Sequence, residues 1–198
     1  MDDVTYARGE VEEAFAHYWE VGCVLEDWAA WTELFTDDVV YVDHFWGPLH
    51  GTREVALWID AVMKGVPEIY TILDWYTIDD GVVTFHCQNR RDNPDRTEGP
   101  AYWDFPGLST IWYAGDGKWR AEEDFWDRTG ARTTSVEYAA ACERAGAHTP
   151  ESRMLRGHWP DGPAWARTDR APSPSWIGSD LPAITKPREL RELLTARA

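Results

Sequence analysis

Cysteine is scarce in this chain of 198 residues. There are three, Cys23, Cys87 and Cys142, with no CxxC and no paired spacing. An odd, scattered set argues against a disulfide framework and against a cysteine-built zinc site. Basic residues are also short, with 19 Lys/Arg against 35 Asp/Glu and a formal net charge of −16. No Lys/Arg stripe is available to neutralise phosphates, so nucleic acid and anionic membrane surfaces are not expected as partners. No stretch approaches the roughly 20 apolar residues of a membrane span. The first residues, MDDVTYARGE, are acidic and lack an apolar run, so no signal peptide is expected and the cytoplasm is the expected location. No GxGxxG follows a strand pattern, and no GxxxxGK[ST] or GxSxG occurs. No nucleotide, redox cofactor or metal is therefore expected.

Tryptophan, by contrast, is abundant: the chain has 13. Each brings a large apolar body and one N–H donor, which suits either a bulky core or an aromatic-lined pocket. Apolar residues make up 43% and charged residues 27%, ordinary for a globular protein and enough to build a core without staples. The length suits one domain, or one domain with an appendage.

The periodicities predict an order of elements. Residues 5–26 read as a helix, with Phe15, Tyr18, Trp19, Gly22 and Leu25 near helical spacing. DWAAWTELF reads as a second, short helix with Asp27 as N-cap. Val39–Asp43 reads as a strand, followed by a loop through Gly47-Pro48 and Gly51. Thr52 then caps a third helix that buries Val55, Ile59, Val62 and Met63 and ends at Gly65 and Pro67. EIYTILDWYTI and VVTFHCQNRR read as strands, the first closed by the turn DDG. LSTIWYA and KWRAEEDFWD form a hairpin across Gly115-Asp116-Gly117. SVEYAAACERA reads as a last helix. The grouping predicts an α+β fold, helices packed on a curved, mainly antiparallel sheet.

Residues 148–198 differ from the rest. Seven prolines fall there, with Trp159, Trp165 and Trp176 between them. Such a stretch builds no core of its own. It is expected as an extension lying on the body (residues 1–147) or on a partner subunit. A short amphipathic helix is expected from Pro187 through Leu190, Leu193 and Leu194.

The strand ending FHCQNRRDNP raises the functional question. Its polar end is either a solvated turn, as Asp92 before Asn93-Pro94 suggests, or a set of working groups. Alternation puts His86, Gln88, Arg90 and Asp92 on one face. Val39, Tyr41 and Asp43 share a face on an earlier strand, and Arg120, Glu122, Asp124 and Trp126 on the last. His86 is either a packing residue or half of a dyad with Asp43 or Asp124. His44 and His50 have no recognised zinc spacing.

The order of elements, with DWAAWTELFTDDVVYVD, GPLHGTREV and GDGKWRAEEDFWD, resembles the NTF2-like superfamily, and its SnoaL-like branch in particular, over residues 5 to about 147. The resemblance implies a cone-shaped α+β fold with a pocket between sheet and helices, an apolar small-molecule substrate and often a homodimer. Members include polyketide cyclases, ketosteroid isomerases, scytalone dehydratases, limonene epoxide hydrolases and proteins without known catalysis, so the fold alone implies no reaction. Limonene epoxide hydrolase is similar at three places. Its Tyr-x-Asn falls on Tyr41-x-Asp43, its Arg-x-Asp on Arg90-x-Asp92, and its last-strand aspartate on Asp124. The resemblance implies Asp124 as the base for water, Asp92 as the acid and Arg90 as the bridge. Asp43 in place of Asn departs from the pattern, since an ionised aspartate only accepts hydrogen bonds. Trp19, Gln88, Trp112 and Trp126 are expected to line the pocket. A dehydratase, cyclase or isomerase using His86 with Asp43 or Asp124, and a binding protein without turnover, are the alternatives.

Overall fold

Two Asp-Gly turns organise the sheet. Asp80-Gly81 and Asp116-Gly117 both adopt positive φ, 42° and 78° in the first, 52° and 73° in the second. Consecutive positive φ is the geometry of the tight hairpin turn whose twist matches the flanking strands. A computed structural model of the chain describes residues 5–95, 97–146, 166 and 172–197. Its helices are α1 (Arg8–Trp19), continued by a π-helical turn Glu20–Val24, α2 (Trp28–Thr32), α3 (Gly51–Gly65), α4 (Arg128–Ala145) and α5 (Pro187–Ala196). Its strands are β1 (Phe35–Asp43), β2 (Gly47–His50), β3 (Tyr70–Asp79), β4 (Val82–Asp92), β5 (Tyr102–Gly115) and β6 (Lys118–Trp126). They form one mixed sheet in the order β2-β1-β6-β5-β4-β3. Only β1 and β6 run parallel; the other neighbours are antiparallel. The α+β expectation holds.

Several details differ from the expectation, among them β5, which starts at Tyr102 rather than Leu108. The stretch after β1 is not only a loop: Gly47–His50 pairs with β1 as an edge strand, where Pro48 need not donate to a further ladder. Helix α3 starts at Gly51, with His50 rather than Thr52 at its N-cap. On β6, Trp112 pairs with Ala121 but Tyr113 with Trp119, so Arg120 is an extra residue in a bulge. The bulge breaks the alternation: Trp119 is buried and Arg120 exposed, apart from Glu122, Asp124 and Trp126. Asp27 does cap α2, its Oδ1 accepting from Ala30 N at 3.0 Å.

The sheet has an inner and an outer face. Inside lie Val83, Phe85 and Cys87 of β4, Ile111 and Tyr113 of β5, Trp119 of β6, and Val39 and Tyr41 of β1, all in one core. Helix α1 covers them, setting Phe15 and Trp19 against Phe85 and Tyr18 against Trp119. Further along the same face, Arg91 donates to Thr134 and Ser135 of α4 and pairs with Glu68 at 2.9 Å, tying that helix to the sheet. Outside, the cross-strand partners Trp75, His86, Leu108 and Phe125 form a row over four strands.

Residues 172–197 pack on the body. Ser173 and Ser175 N–H groups donate to Leu25 and Glu26 carbonyls, and Ile184 N–H to Ala61 O. Lys64 Nζ donates to Ser179 O and Leu181 O at 2.7 and 2.9 Å. Leu181, Ile184, Leu190 and Leu193 join the main core. The expected helix from Pro187 is present as α5. Trp159 and Trp165 lie outside the described residues. Among the described residues no helix is long and apolar enough to cross a membrane.

Candidate active site

The parallel pairing of β1 with β6 builds a cluster of acids and hydroxyls on the inner face. In its register Tyr41 stands opposite Glu122 and Asp43 opposite Asp124. Ser109 of β5 stands opposite Asp124 from the other side. Tyr18 arrives from α1. Its hydroxyl donates to Glu122, 2.7 Å from Oε1 and 2.9 Å from Oε2. The Tyr41 hydroxyl lies 3.2 Å from Glu122 Oε1 and also meets Oδ2 of Asp124. The Ser109 hydroxyl donates to Oδ1 of Asp124. Burial falls along β6, from Glu122 at 2% exposed to partly exposed Asp124 and Trp126.

Aromatic rings form the walls. Tyr18 packs against Trp31, Phe35, Phe85 and Trp119, and Tyr41 against Trp58 at 4.8 Å between ring centres. These rings take the carboxyls out of water, which disfavours their charged forms. Burial pushes Asp124 up to about 6, against the pull of hydrogen bonds from Ser109 and Tyr41. Burial, and then the neighbouring charge of Asp124, raises Glu122 well above the ordinary glutamate value. Among the described residues no Lys or Arg pairs with either.

Asp43 is differently used. Its Oδ1 accepts from the N–H groups of Phe45 and Trp46 at 2.7 and 2.9 Å, and its Oδ2 from Trp126 Nε1 at 3.0 Å. Three donors on two oxygens fix the turn after β1 and the indole of Trp126. Burial still raises its pKa against those donors.

The other expected residues do not join this cluster. The β4–β5–β6 register has no shift between Val82 and Asp92, so Phe85, Ser109 and Asp124 share one face and His86, Leu108 and Phe125 the opposite one. Two-residue alternation then puts Gln88, Arg90 and Asp92 with His86 on the outer face. Arg90 pairs with Asp104 at 2.7 and 2.6 Å and lies 3.5 Å over the ring of Tyr102. Asp92 is neither in a solvated turn nor beside Asp124: it is 2% exposed and accepts from the Tyr70 hydroxyl at 2.6 Å. The bridge of Arg90 between Asp92 and Asp124 is therefore not assembled. His86 and Gln88 both bond Asp74 Oδ2, at 2.9 and 2.8 Å, so no dyad of His86 with Asp43 or Asp124 forms either. Trp112 faces outward, beside an open groove of about 410 Å³ with Val40, Val42, Arg120 and Ala121. Trp19 is fully buried in the core, its Nε1 3.3 Å from Ala166 O. Of the expected pocket residues, only Trp126 borders the acid cluster.

Glu122, Tyr18 and Ser109 were not singled out from the sequence. Glu122 carried a signal, since it precedes Asp124 by two residues and so shares its face. Tyr18 and Ser109 carried none, because only the packing of α1 and the β5–β6 register bring them in.

A curved mixed sheet wrapped on helices, with acids and hydroxyls on the inner face of β1 and β6, defines an NTF2-like α+β protein. The chain belongs to the SnoaL-like family: the model of the SnoaL-like domain matches residues 11–122. Among solved structures it is similar to a candidate SnoaL-like polyketide cyclase from Jannaschia sp. CCS1, with TM-score 0.53 and 16% identity over 66% of this chain and 96% of that one. It is similar to an LEH-like epoxide hydrolase from M. tuberculosis, with TM-score 0.53 and 17% identity over 69% of this chain and 96% of the other. AclR, a candidate hydroxylase from Streptomyces galilaeus, has TM-score 0.52 and 10% identity over 66% and 98%. A comparison with proteins of curated function finds no match. Identities this low speak for the fold and not for the reaction.

Proposed function

We propose that the chain is a cofactor-independent acid/base enzyme that moves a proton on an apolar cyclic small molecule, with Asp124 as the base. The observation that supports this is the setting of Asp124. It stands at the partly open end of an aromatic-walled interior, held by two hydroxyls, with its pKa raised to about 6. A base tuned toward neutrality is ionised at working pH and still takes up a proton readily. Removal of a proton beside a carbonyl, the step shared by isomerases and cyclases of polyketide, steroid or terpenoid type, asks for such a group. Epoxide hydrolysis with Asp124 activating water is the second reading. The similarity to an LEH-like epoxide hydrolase favours it, but the Arg90–Asp92 acid it relies on faces the other side of the sheet.

The test uses two probes. Hydrogen–deuterium exchange into 2-tetralone, followed by NMR, reports proton abstraction. Ring opening of a cyclic terpene epoxide reports hydration. Exchange that the wild type accelerates and Asp124→Asn loses is the expected result. Ring opening dependent on Asp124, without exchange, would move the assignment to the second reading. Rates equal in the wild type and Asp124→Asn on both probes would remove Asp124 as the base.

A further inference from the structure

The site has an apparent gap: a base with no acid. A count of protons fills it. Three hydroxyls meet two carboxyls here, and each hydroxyl has one proton to donate. That of Tyr18 reaches only Glu122. That of Ser109 reaches only Asp124. Tyr41 touches both, Glu122 Oε1 at 3.2 Å and Asp124 Oδ2 more closely, and its single proton serves one of them. With both carboxyls ionised, one Tyr41 contact sets oxygen against oxygen with no proton between. Two negative charges would also share an aromatic interior with no cation paired to them among the described residues, an arrangement that burial strongly opposes. One added proton resolves both problems. Glu122 Oε1–H donates to the Tyr41 oxygen, and Tyr41 O–H donates to Asp124 Oδ2. Each hydroxyl–carboxyl pair, Tyr18–Glu122, Tyr41–Glu122, Tyr41–Asp124 and Ser109–Asp124, then holds one proton, and the remaining charge rests on Asp124, the less buried carboxyl with two donors of its own.

We propose that Glu122 is the proton store of this site, holding the one proton of the carboxyl pair and passing it through the Tyr41 hydroxyl to Asp124. The step balances without a co-reactant. The Glu122 Oε1–H bond breaks as its proton joins the Tyr41 oxygen. The Tyr41 O–H bond breaks as its proton joins Asp124 Oδ2. The electron pairs stay on the oxygens, and the net charge stays at −1. Asp124 is a base while the proton is on Glu122 and an acid once it has crossed. In this role Glu122 acts through Tyr41 on Asp124 and is a positioning residue. The upward shift of Glu122 through burial and the Asp124 charge agrees with this placement. Among the described residues, the titratable groups acting on the pair include Asp43, Cys87 and, behind Tyr18, Cys23; the basic His44, which acts on Asp43, is paired with Glu123 and stacked on Phe125. The use of the proton in turnover rests on the reading of Asp124 as the base; its location does not.

Two measurements test the location without any substrate. Gln is the neutral analogue of a protonated Glu. In Glu122→Gln the carboxyl carbon of Asp124, followed by ¹³C NMR, is expected to titrate within about 0.5 pH unit of the wild type. A fall of more than about one unit would mean that a negative neighbour had been removed, and would overturn the proposal. The wild type itself gives the second reading, independent of how the variant folds. Its infrared spectrum at pH 8 is expected to hold a protonated-carboxyl band that shifts on ¹³C labelling of glutamate and persists in Tyr41→Phe. Absence of that band from the wild type would overturn the proposal. A band without turnover on either probe would leave the store intact and sink the enzyme reading; turnover without a band would do the reverse.

Discussion

The hydroxyl of Tyr41 bonds the carboxyl of Asp124, although the β1–β6 ladder sets Tyr41 opposite Glu122 and Asp124 opposite Asp43. Tyr41 reaches one step along the neighbouring strand, and in doing so touches both acids at once. The contact joins residues 83 apart in sequence. It crosses the parallel β1–β6 pairing, the one non-hairpin pairing among the described strands.

The rate of proton abstraction is expected to rise with pH through about 6 and level off above it. Asp124 is raised to about 6 and acts as a base only when ionised. The check is the pH dependence of kcat/KM for exchange into 2-tetralone. Tyr41→Phe removes a donor to the ionised form, so its rising limb is expected at higher pH. A limb that stays in place in that variant would mean that Tyr41 does not hold the Asp124 charge.

Stability is expected to fall as pH rises from 4 to 7. The folded pKa of Asp124 lies above its ordinary value of 3.8. The folded chain thus binds this proton more tightly than the unfolded one. That contribution is fully present below the unfolded pKa and is lost as pH passes through the folded one. A shift of this size corresponds to about 2–3 kcal/mol. Asp124→Asn keeps the shape and loses the titration. Its Tm is expected to gain on the wild type across that window, measured by thermal denaturation at a series of pH values. A constant difference between the two would show that burial does not perturb Asp124.

What was legible in the sequence was mostly local. The hairpin turns, the cap at Asp27, the α5 helix and the α+β order follow from neighbouring residues, and all appear in the structure. The resemblance named Tyr41 and Asp124 together, and the structure sets their strands side by side with the two side chains in contact. The failures lie at strand ends and between strands. Along β4, alternation correctly grouped His86, Gln88, Arg90 and Asp92, but did not say which group faced inward. The apolar set Val83, Phe85 and Cys87 decides that, because only those side chains belong against α1. Asp92 reads as a turn residue beside Asn93-Pro94, yet β5 extends to Tyr102 and pairs with it. The bulge at Arg120 had no local signal. Glu122 was hidden by its neighbour Glu123, since two adjacent acids look like a solvated edge until one is known to face a tyrosine.

The outer-face residues give a sharp control. Asp92→Asn preserves an acceptor for the Tyr70 hydroxyl, and His86→Ala removes a partly exposed contact with Asp74 and a stack on Trp75, both on the outer face. Both are expected to exchange 2-tetralone within about twofold of the wild type, less than the 10²–10⁴-fold contribution of a general acid or base. Arg90→Ala is expected to cost about 1–3 kcal/mol, through loss of the paired Asp104 and the stacked Tyr102, with turnover per folded molecule unchanged. A hundredfold loss in Asp92→Asn at unchanged Tm would restore the acid role of that residue and undo the assignment of faces to function.

Gly65→Ala tests how firmly the C-terminal stretch is attached. Helix propensity alone favours alanine over glycine by about 0.5–1 kcal/mol. The contact at this position opposes it. A Cβ on Gly65 would stand 2.3 Å from the carbonyl oxygen of Ile184 and 3.2 Å from its carbon. Those are backbone atoms, which cannot rotate away as a side-chain tip does. The same carbonyl belongs to the turn that Lys64 holds through Ser179 and Leu181, and whose N–H binds Ala61. The added methyl must therefore push the segment off α3, and overpacking of this kind costs about 1–3 kcal/mol. Gly65→Ala is expected to lower the Tm, and limited proteolysis is expected to cut within residues 172–197 faster than in the wild type. A Tm raised as propensity alone predicts, with cleavage unchanged, would mean that the stretch does not rest on α3 at this point.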